Sequence, residues 1–458
     1  MTTLKNIAFH ALRTGAAALC FVNLTWAGIP IEHWTQPSGA QVYLVQSPAI
    51  PMVDVQIDLD AGSRRDPADK AGLASVTASM VSKGVLAGAG ANEPALDENA
   101  LGEAWADLGA SFSAHAGDDR MSFSLRSLTY PDLLGQAVQL AARQLAQPAF
   151  PLAIWQRERG SLQAAIKEAN TRPGTLAGRA FAQAVYGAHP YGYEMTEATL
   201  ANIEVADMAA LYRQMVAPCR AKVTIVGAVN RPQADMLVQQ LLARLTSERQ
   251  AQADACAPLP AVAEVQPLAA GSEQRIAFES AQAQVLIGQP GYRRDDPDHF
   301  ALTVGNYILG GGGFVSRLTQ EVREKRGLSY SVYSGFAPGQ HAGAFSVGLQ
   351  TRPDQADEAV RVVREVVAKF VTDGPTQAEL QAAKDNLVGG FPLLIDSNRK
   401  LLGNVANMAW NNLPLNYLDT WTAQVAQVTL ADIQAAFARK LQPDRMVTVV
   451  LGGAPAKP

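Results

Sequence analysis

Charge is scarce in this sequence. Only 17% of the 458 residues are Asp, Glu, Lys or Arg, and 38 basic against 42 acidic side chains leave a formal net charge of −4. No run of Lys and Arg reaches four residues, which removes the electrostatic footprint of a nucleic-acid binder. Disorder is excluded as well, because 48% of the residues are hydrophobic. Histidine and cysteine are sparse, at six and three residues. Beyond the N-terminus no apolar run is long enough to span a bilayer. There is no Gly-x-Ser-x-Gly elbow and no P-loop or dinucleotide glycine pattern. The run Gly310-Gly311-Gly312-Gly313 follows a helical pattern instead of a strand, outside the context of a phosphate cradle.

Residues 1–27 read as a secretory signal peptide. Lys5 and Arg13 come without an acid, the apolar stretch Gly15 to Leu24 follows, and Thr25 and Ala27 are small residues before a cut after Ala27. A retained anchor is the alternative, but Asn23 interrupts the span. Bulky Leu19 before Cys20 argues against lipidation there. Cleavage removes Lys5 and Arg13, so −4 becomes −6, and a periplasmic location is expected. Cys219 and Cys256 would then sit in an oxidising compartment, either as a bridge or as two separate thiols.

The rest of the chain says the same thing twice. An Ala/Gln/Pro-rich stretch at 248–271 reads as a linker, between an N-terminal domain at 28–247 and a C-terminal domain at 272–458. Asp207-Met208-Ala209-Ala210-Leu211-Tyr212 runs through Pro218 and Arg220 into Val223–Gly227. Adding 225 gives Asp432-Ile433-Gln434-Ala435-Ala436-Phe437, then Pro443, Arg445 and a strand ending at Gly452. Both halves also start alike, with Arg64-Arg65-Asp66-Pro67 and Arg293-Arg294-Asp295-Asp296-Pro297. This is a duplicated domain. Alternation at Val53, Val55, Ile57 and Leu59, and at Phe345, Val347 and Leu349, predicts strands with one buried face. Ala/Leu-rich helices are predicted over 133–145 and 359–371. The fold class is α+β: two duplicated domains of about 200 residues, each a mainly antiparallel sheet covered by helices.

Residues 310–333, Gly-Gly-Gly-Gly-Phe-Val-Ser-Arg-Leu-Thr-Gln-Glu-Val-Arg-Glu-Lys-Arg-Gly-Leu-Ser-Tyr-Ser-Val-Tyr, resemble the pitrilysin (insulinase, mitochondrial processing peptidase) family of zinc peptidases. The duplication and the Arg-Asp-Pro…Gly-Leu-Ala start agree with that resemblance. It implies a substrate chamber enclosed by repeated domains, and a zinc motif His-x-x-Glu-His on the helix after Gly-Leu-Ala. Two His one turn apart bind the metal, and the Glu between them activates water. This chain has Ser75, Ala78 and Ser79 at those places, while Leu73, Val76 and Met80 keep the helical core spacing. In the downstream acidic pattern Glu158 matches the first acid, but Ala165 replaces the second. The remaining histidines, His33, His115, His189, His299 and His341, have no His or Cys within five positions. No cofactor is therefore expected on this chain, and zinc is expected in a partner.

The resemblance also implies an Arg and a Tyr, seven apart, that face the metal across the chamber. They match Arg323 and Tyr330, with Gly327 suited to a left-handed helix cap between them. A guanidinium fork can hold a substrate carbonyl, and a phenol can donate to an oxyanion. Singly, each also suits a bland structural role. Gly310, Gly311, Gly312 and Gly313 are candidate substrate contacts, or a cap and turn. The expected function is that of the zinc-free subunit of an exported two-chain peptidase, which hydrolyses unfolded peptides only beside a homologous zinc-binding chain. The alternative is an inert scaffold or peptide-binding module.

Overall fold

The computed structural model describes residues 28–88, 93–249 and 256–453; the segment read as a signal peptide lies outside the described residues. Among these residues no helix is long and apolar enough to cross a membrane.

The first sheet is built from β1 (Ile31–Thr35), β2 (Gln41–Gln46), β3 (Met52–Leu59), β4 (Ser111–Ala116), β5 (Met121–Leu128) and β6 (Lys222–Gly227). The second is built from β7 (Ser272–Ile276), β8 (Ala283–Pro290), β9 (Val332–Phe336), β10 (Ala344–Thr351) and β11 (Val447–Leu451). Strand order is β1-β2-β6-β3-β5-β4 in one and β9-β10-β8-β11-β7 in the other. Read backwards, the second order is the first without β1. Among the described residues only the strand pairs β2–β6 and β7–β11 are parallel. The α+β class and the duplication thus hold at the level of hydrogen-bonded topology.

The helices repeat in the same way: α1 (Leu73–Met80), α2 (Pro131–Ala146), α3 (Leu152–Ala169), α4 (Pro173–Tyr186) and α5 (Val205–Met215) in one half. Their counterparts are α6 (His299–Asn306), α7 (Ala356–Asp373), α8 (Gln377–Gly390), α9 (Asn398–Trp410) and α10 (Leu430–Lys440). Adding 225 to the first residue of α2, α3, α4 and α5 gives the first residue of α7, α8, α9 and α10.

One pair does not stay at home. Ala177, Phe181 and Val185 of α4 pack with Ala344, Val447, Val449 and Leu451 of the second sheet. Reciprocally, Leu402, Val405, Met408 and Ala409 of α9 pack with Tyr43, Val45 and Val226 of the first. Each sheet is closed on one face by its own helices and on the other by a helix of the other half.

Polar contacts lock the same joint. Arg64 ion-pairs with Asp60 at 2.7 Å and Asp119 at 3.3 Å, and its Nη1 lies 3.1 Å from His341 Nε2. A guanidinium can only donate, so Nε2 accepts and His341 Nδ1–H faces Glu264 at 3.3 Å. Tyr191 donates to Asp119 at 2.5 Å and accepts the His341 backbone N–H. His189 and His341, remote in sequence, meet with ring centroids 5.1 Å apart, and burial pushes the pKa of His189 down. Cys219 and Cys256 form a disulfide with Cα atoms 6.0 Å apart, which resolves the alternative that the sequence left open.

Candidate functional site

The Arg/Tyr constellation begins at the glycine run. A π-helical turn, Tyr307–Gly311, carries the chain out of α6. A Cβ at Gly310 would meet Ser334 N at 2.5 Å, and one at Gly312 would meet the Tyr307 carbonyl at 2.6 Å. Gly313 has φ +60, the left-handed region, with open space around it. Internal packing or backbone conformation thus gives these glycines reasons of their own. Their combined effect is to present Phe314, which is 71% exposed.

Arg323 lies in a second π-helical turn, Thr319–Glu324. Such turns displace side chains from the ordinary helical face and occur often at functional positions. Gly327, at φ +61, ends the turn: its N–H bonds Arg323 O, and the Leu328 N–H bonds Val322 O. Tyr330 follows on a bend, two residues before β9 begins. The result is a sandwich. The guanidinium carbon of Arg323 sits 4.8 Å from the Phe314 ring centroid and 4.7 Å from that of Tyr330. Each such contact is worth about 0.5–1 kcal/mol at an exposed site and orients the planar fork. Glu324 Oε1, 3.3 Å from Arg323 Nε, is its ion-pair partner. Tyr330 is 83% exposed, and its hydroxyl has no hydrogen-bond partner among the described residues. Phe314 escaped the sequence reading, although an aromatic directly after four glycines was its available signal.

The helix that would carry the metal survives without its chemistry. Asp66 accepts the backbone N–H groups of Gly72 and Ala74, each at 2.9 Å, and so caps α1; burial pushes its carboxyl up to about 7 against those bonds. Ser75 and Ser79 point outward one turn apart, Ala78 is buried, and Ser79 Oγ donates back to Val76 O at 2.9 Å. Glu158 on α3 is engaged: Lys83 Nζ lies 3.2 Å away and Arg157 2.7 Å away. Arg157 and Lys83 also hold Glu98, whose carboxyl hydrogen bonds from Arg157 bring down to about 2. Ala165, further along α3, is exposed. Two hydroxyls, two methyls and a carboxylate neutralised by cations do not fit zinc, which takes imidazole, thiolate or free carboxylate. Among the described residues no group of three His, Cys, Asp or Glu side chains could hold a metal ion. The groove beside Tyr330 has no α1 residue in its lining.

Residues 41–199 match the family model described as insulinase (peptidase family M16), and residues 202–387 match the one described as peptidase M16 inactive domain. A crystal structure from Pseudomonas fluorescens, titled as a peptidase M16 inactive domain, is 33% identical with a TM-score of 0.85; it covers 94% of this chain and 99% of that one. The chain belongs to peptidase family M16. An uncharacterized zinc protease of Streptomyces coelicolor is 30% identical over 283 residues, 61% of this chain and 60% of that protein. A protein of Helicobacter pylori named a non-peptidase homolog is 34% identical over 165 residues, 35% of this chain and 38% of its own length. This family therefore includes relatives named as proteases and at least one named as none. The present M16 chain, stripped of metal-binding side chains at α1 and α3, is a zinc-less member.

Proposed function

We propose that this chain is exported and serves as the zinc-free subunit of a two-chain M16 peptidase, with Arg323 and Tyr330 presented to substrate held against a zinc-bearing sister chain. The observation that carries the reading is the Arg323 guanidinium clasped between Phe314 and a Tyr330 left bare to solvent. Structural duty alone asks for neither the exposure nor the clasp. Arg323 donates to a peptide carbonyl next to the scissile bond, and the Tyr330 hydroxyl donates to the oxygen that gains charge as the carbonyl is attacked. A preorganised donor of this kind contributes about 3–4 kcal/mol to lowering the barrier. The nucleophile is made elsewhere, because Ser75, Ala78 and Ser79 cannot generate it. Export is supported by the pattern of residues 1–27 and by the Cys219–Cys256 disulfide, a bond of oxidising compartments.

The test mixes the chain with an exported homologue that carries His-x-x-Glu-His and follows cleavage of a quenched fluorescent peptide. Arg323→Ala and Tyr330→Phe are each expected to lower kcat/KM by about 10²–10³-fold. An unchanged rate in both variants, or turnover by the chain alone, overturns the proposal. A second reading, an inert scaffold, is favoured by the sequestered Glu158; it predicts assembly with the sister chain and no rate effect of either substitution.

A further inference from the structure

Beside Tyr330 lies a groove of about 630 Å³ floored by the second sheet. The apolar cluster around helix α4 takes in β8, β11 and Ala344 at the head of β10, but no residue of β9 and none of β10 beyond Ala344. Strand register sets the floor in two rows. Tyr333 is opposite Gly348, and Gly348 is opposite Leu286; one step along, Gln350 is opposite Gln284, and Ser331, just before β9, also lines the groove. The Tyr333 ring occupies the space over Gly348, where a Cβ would come within 2.6 Å of its hydroxyl oxygen. The far wall is α4, through Gly174 and Gly178. Glycine is costly inside a helix, yet a Cβ at Gly178 would meet nothing, and one at Gly174 only Gln284 Oε1 at 3.6 Å. The chain's own packing does not explain that thin wall.

The lining contains no Asp, Glu, Lys, Arg or His. The side-chain amides of Gln284 and Gln350, and the hydroxyls of Tyr330 and Tyr333, have no hydrogen-bond partner among the described residues. A charged side chain entering here would lose water without gaining a counter-ion, whereas an amide or an aromatic ring would find donors, acceptors and apolar floor. We propose that this groove is a specificity pocket for extended peptides, which selects an uncharged amide-bearing or aromatic side chain next to the bond presented to Arg323 and Tyr330. It deepens, and rests on, the reading of that pair given above. The occupant is a peptide segment because the groove is continuous with Tyr330 and neutral throughout.

The test uses the full chain and fluorescein-labelled, alanine-based octapeptides whose central residue is Gln, Phe, Lys or Glu. Binding to the chain alone is expected to favour the Gln and Phe peptides at least tenfold over the other two. Gly178→Leu, which projects into open space from a helix, is expected to weaken both favoured peptides at least tenfold with an unchanged circular dichroism spectrum. Gln284→Glu is expected to bring the Lys peptide to or above the Gln peptide. Equal affinity for all four peptides, no effect of Gly178→Leu, or self-association that Gly178→Leu disrupts without any peptide binding each overturns the pocket. Cleavage by the two-chain complex separates the two ideas. Selective binding without Arg323-dependent cleavage keeps the pocket and removes the catalytic pair; Arg323-dependent cleavage without side-chain preference does the reverse.

Discussion

Truncating Phe181 to alanine tests how the two halves are held. Its ring belongs to α4 in the first half but is buried against β8 and β11 of the second, at 7% exposure. The ring tip occupies space that a Cβ at Gly288 would need, since the two would be 2.8 Å apart. Buried Phe-to-Ala changes cost about 3–5 kcal/mol, and the cost is highest where neighbours cannot move into the hole. Gly288 has no side chain to fill it and is fixed in a strand, which places the expected loss at about 4 kcal/mol. With a denaturant slope of about 3 kcal/mol/M or more for a chain of this size, the urea midpoint falls by about 1 M. Single-tryptophan versions retaining Trp155, in the core of the first half, or Trp421, which packs against the core of the second half and against the α9 joint, report on two regions of the molecule. Both are expected to shift together, because α4 and α9 tie each sheet to the other half. A shift confined to Trp421, or an isolated 272–453 fragment as stable as the whole, would refute the reasoning.

Other outcomes follow from the same contacts. Cys219→Ser should destabilise the oxidised protein by about 3–4 kcal/mol, from a bridge with a sequence separation of 37, and reductant should do the same to the parent in a denaturation curve. His299 is half-buried 3.0 Å from the Tyr292 hydroxyl; burial, then Arg294, push its pKa down to about 3. The unfolded chain takes that proton first, so the contribution is complete above pH 6.5 and is lost as pH falls toward 3. At pH 5 the loss is about 1 kcal/mol once partial exposure is discounted, and it is read as the stability difference between parent and His299→Gln at pH 7 and pH 5. Chelator should move the melting temperature by less than about 1 °C, the scale of a negligible stability change, and metal analysis should find no stoichiometric zinc.

Much of this was legible because duplication leaves an arithmetic trace. The helix predicted over 133–145 is Pro131–Ala146, and that over 359–371 is Ala356–Asp373. The lost metal chemistry was equally plain, since Ser75, Ala78 and Ser79 keep the helix while removing its metal-binding side chains. Spacing placed Gly327 at a left-handed cap between Arg323 and Tyr330, but it could not show the clasp, which needs Phe314 from another turn. The exchange of α4 and α9 was invisible for a physical reason: Ala177, Phe181 and Val185 look the same whichever sheet they face. The contacts of Arg64 with His341 and of Glu264 with His341 join residues far apart in sequence, and pairings of that range leave no local pattern.

The crossed helices also impose an order on folding. The first sheet can align its strands once residue 227 has been made, yet its outer face stays open until residues 398–410 exist. Contacts of such long range are slow to close, and an uncovered apolar sheet invites association in the interval. A nascent chain of this design gains from a holding chaperone until its last third is synthesised, and two such chains caught midway could trade these helices with each other.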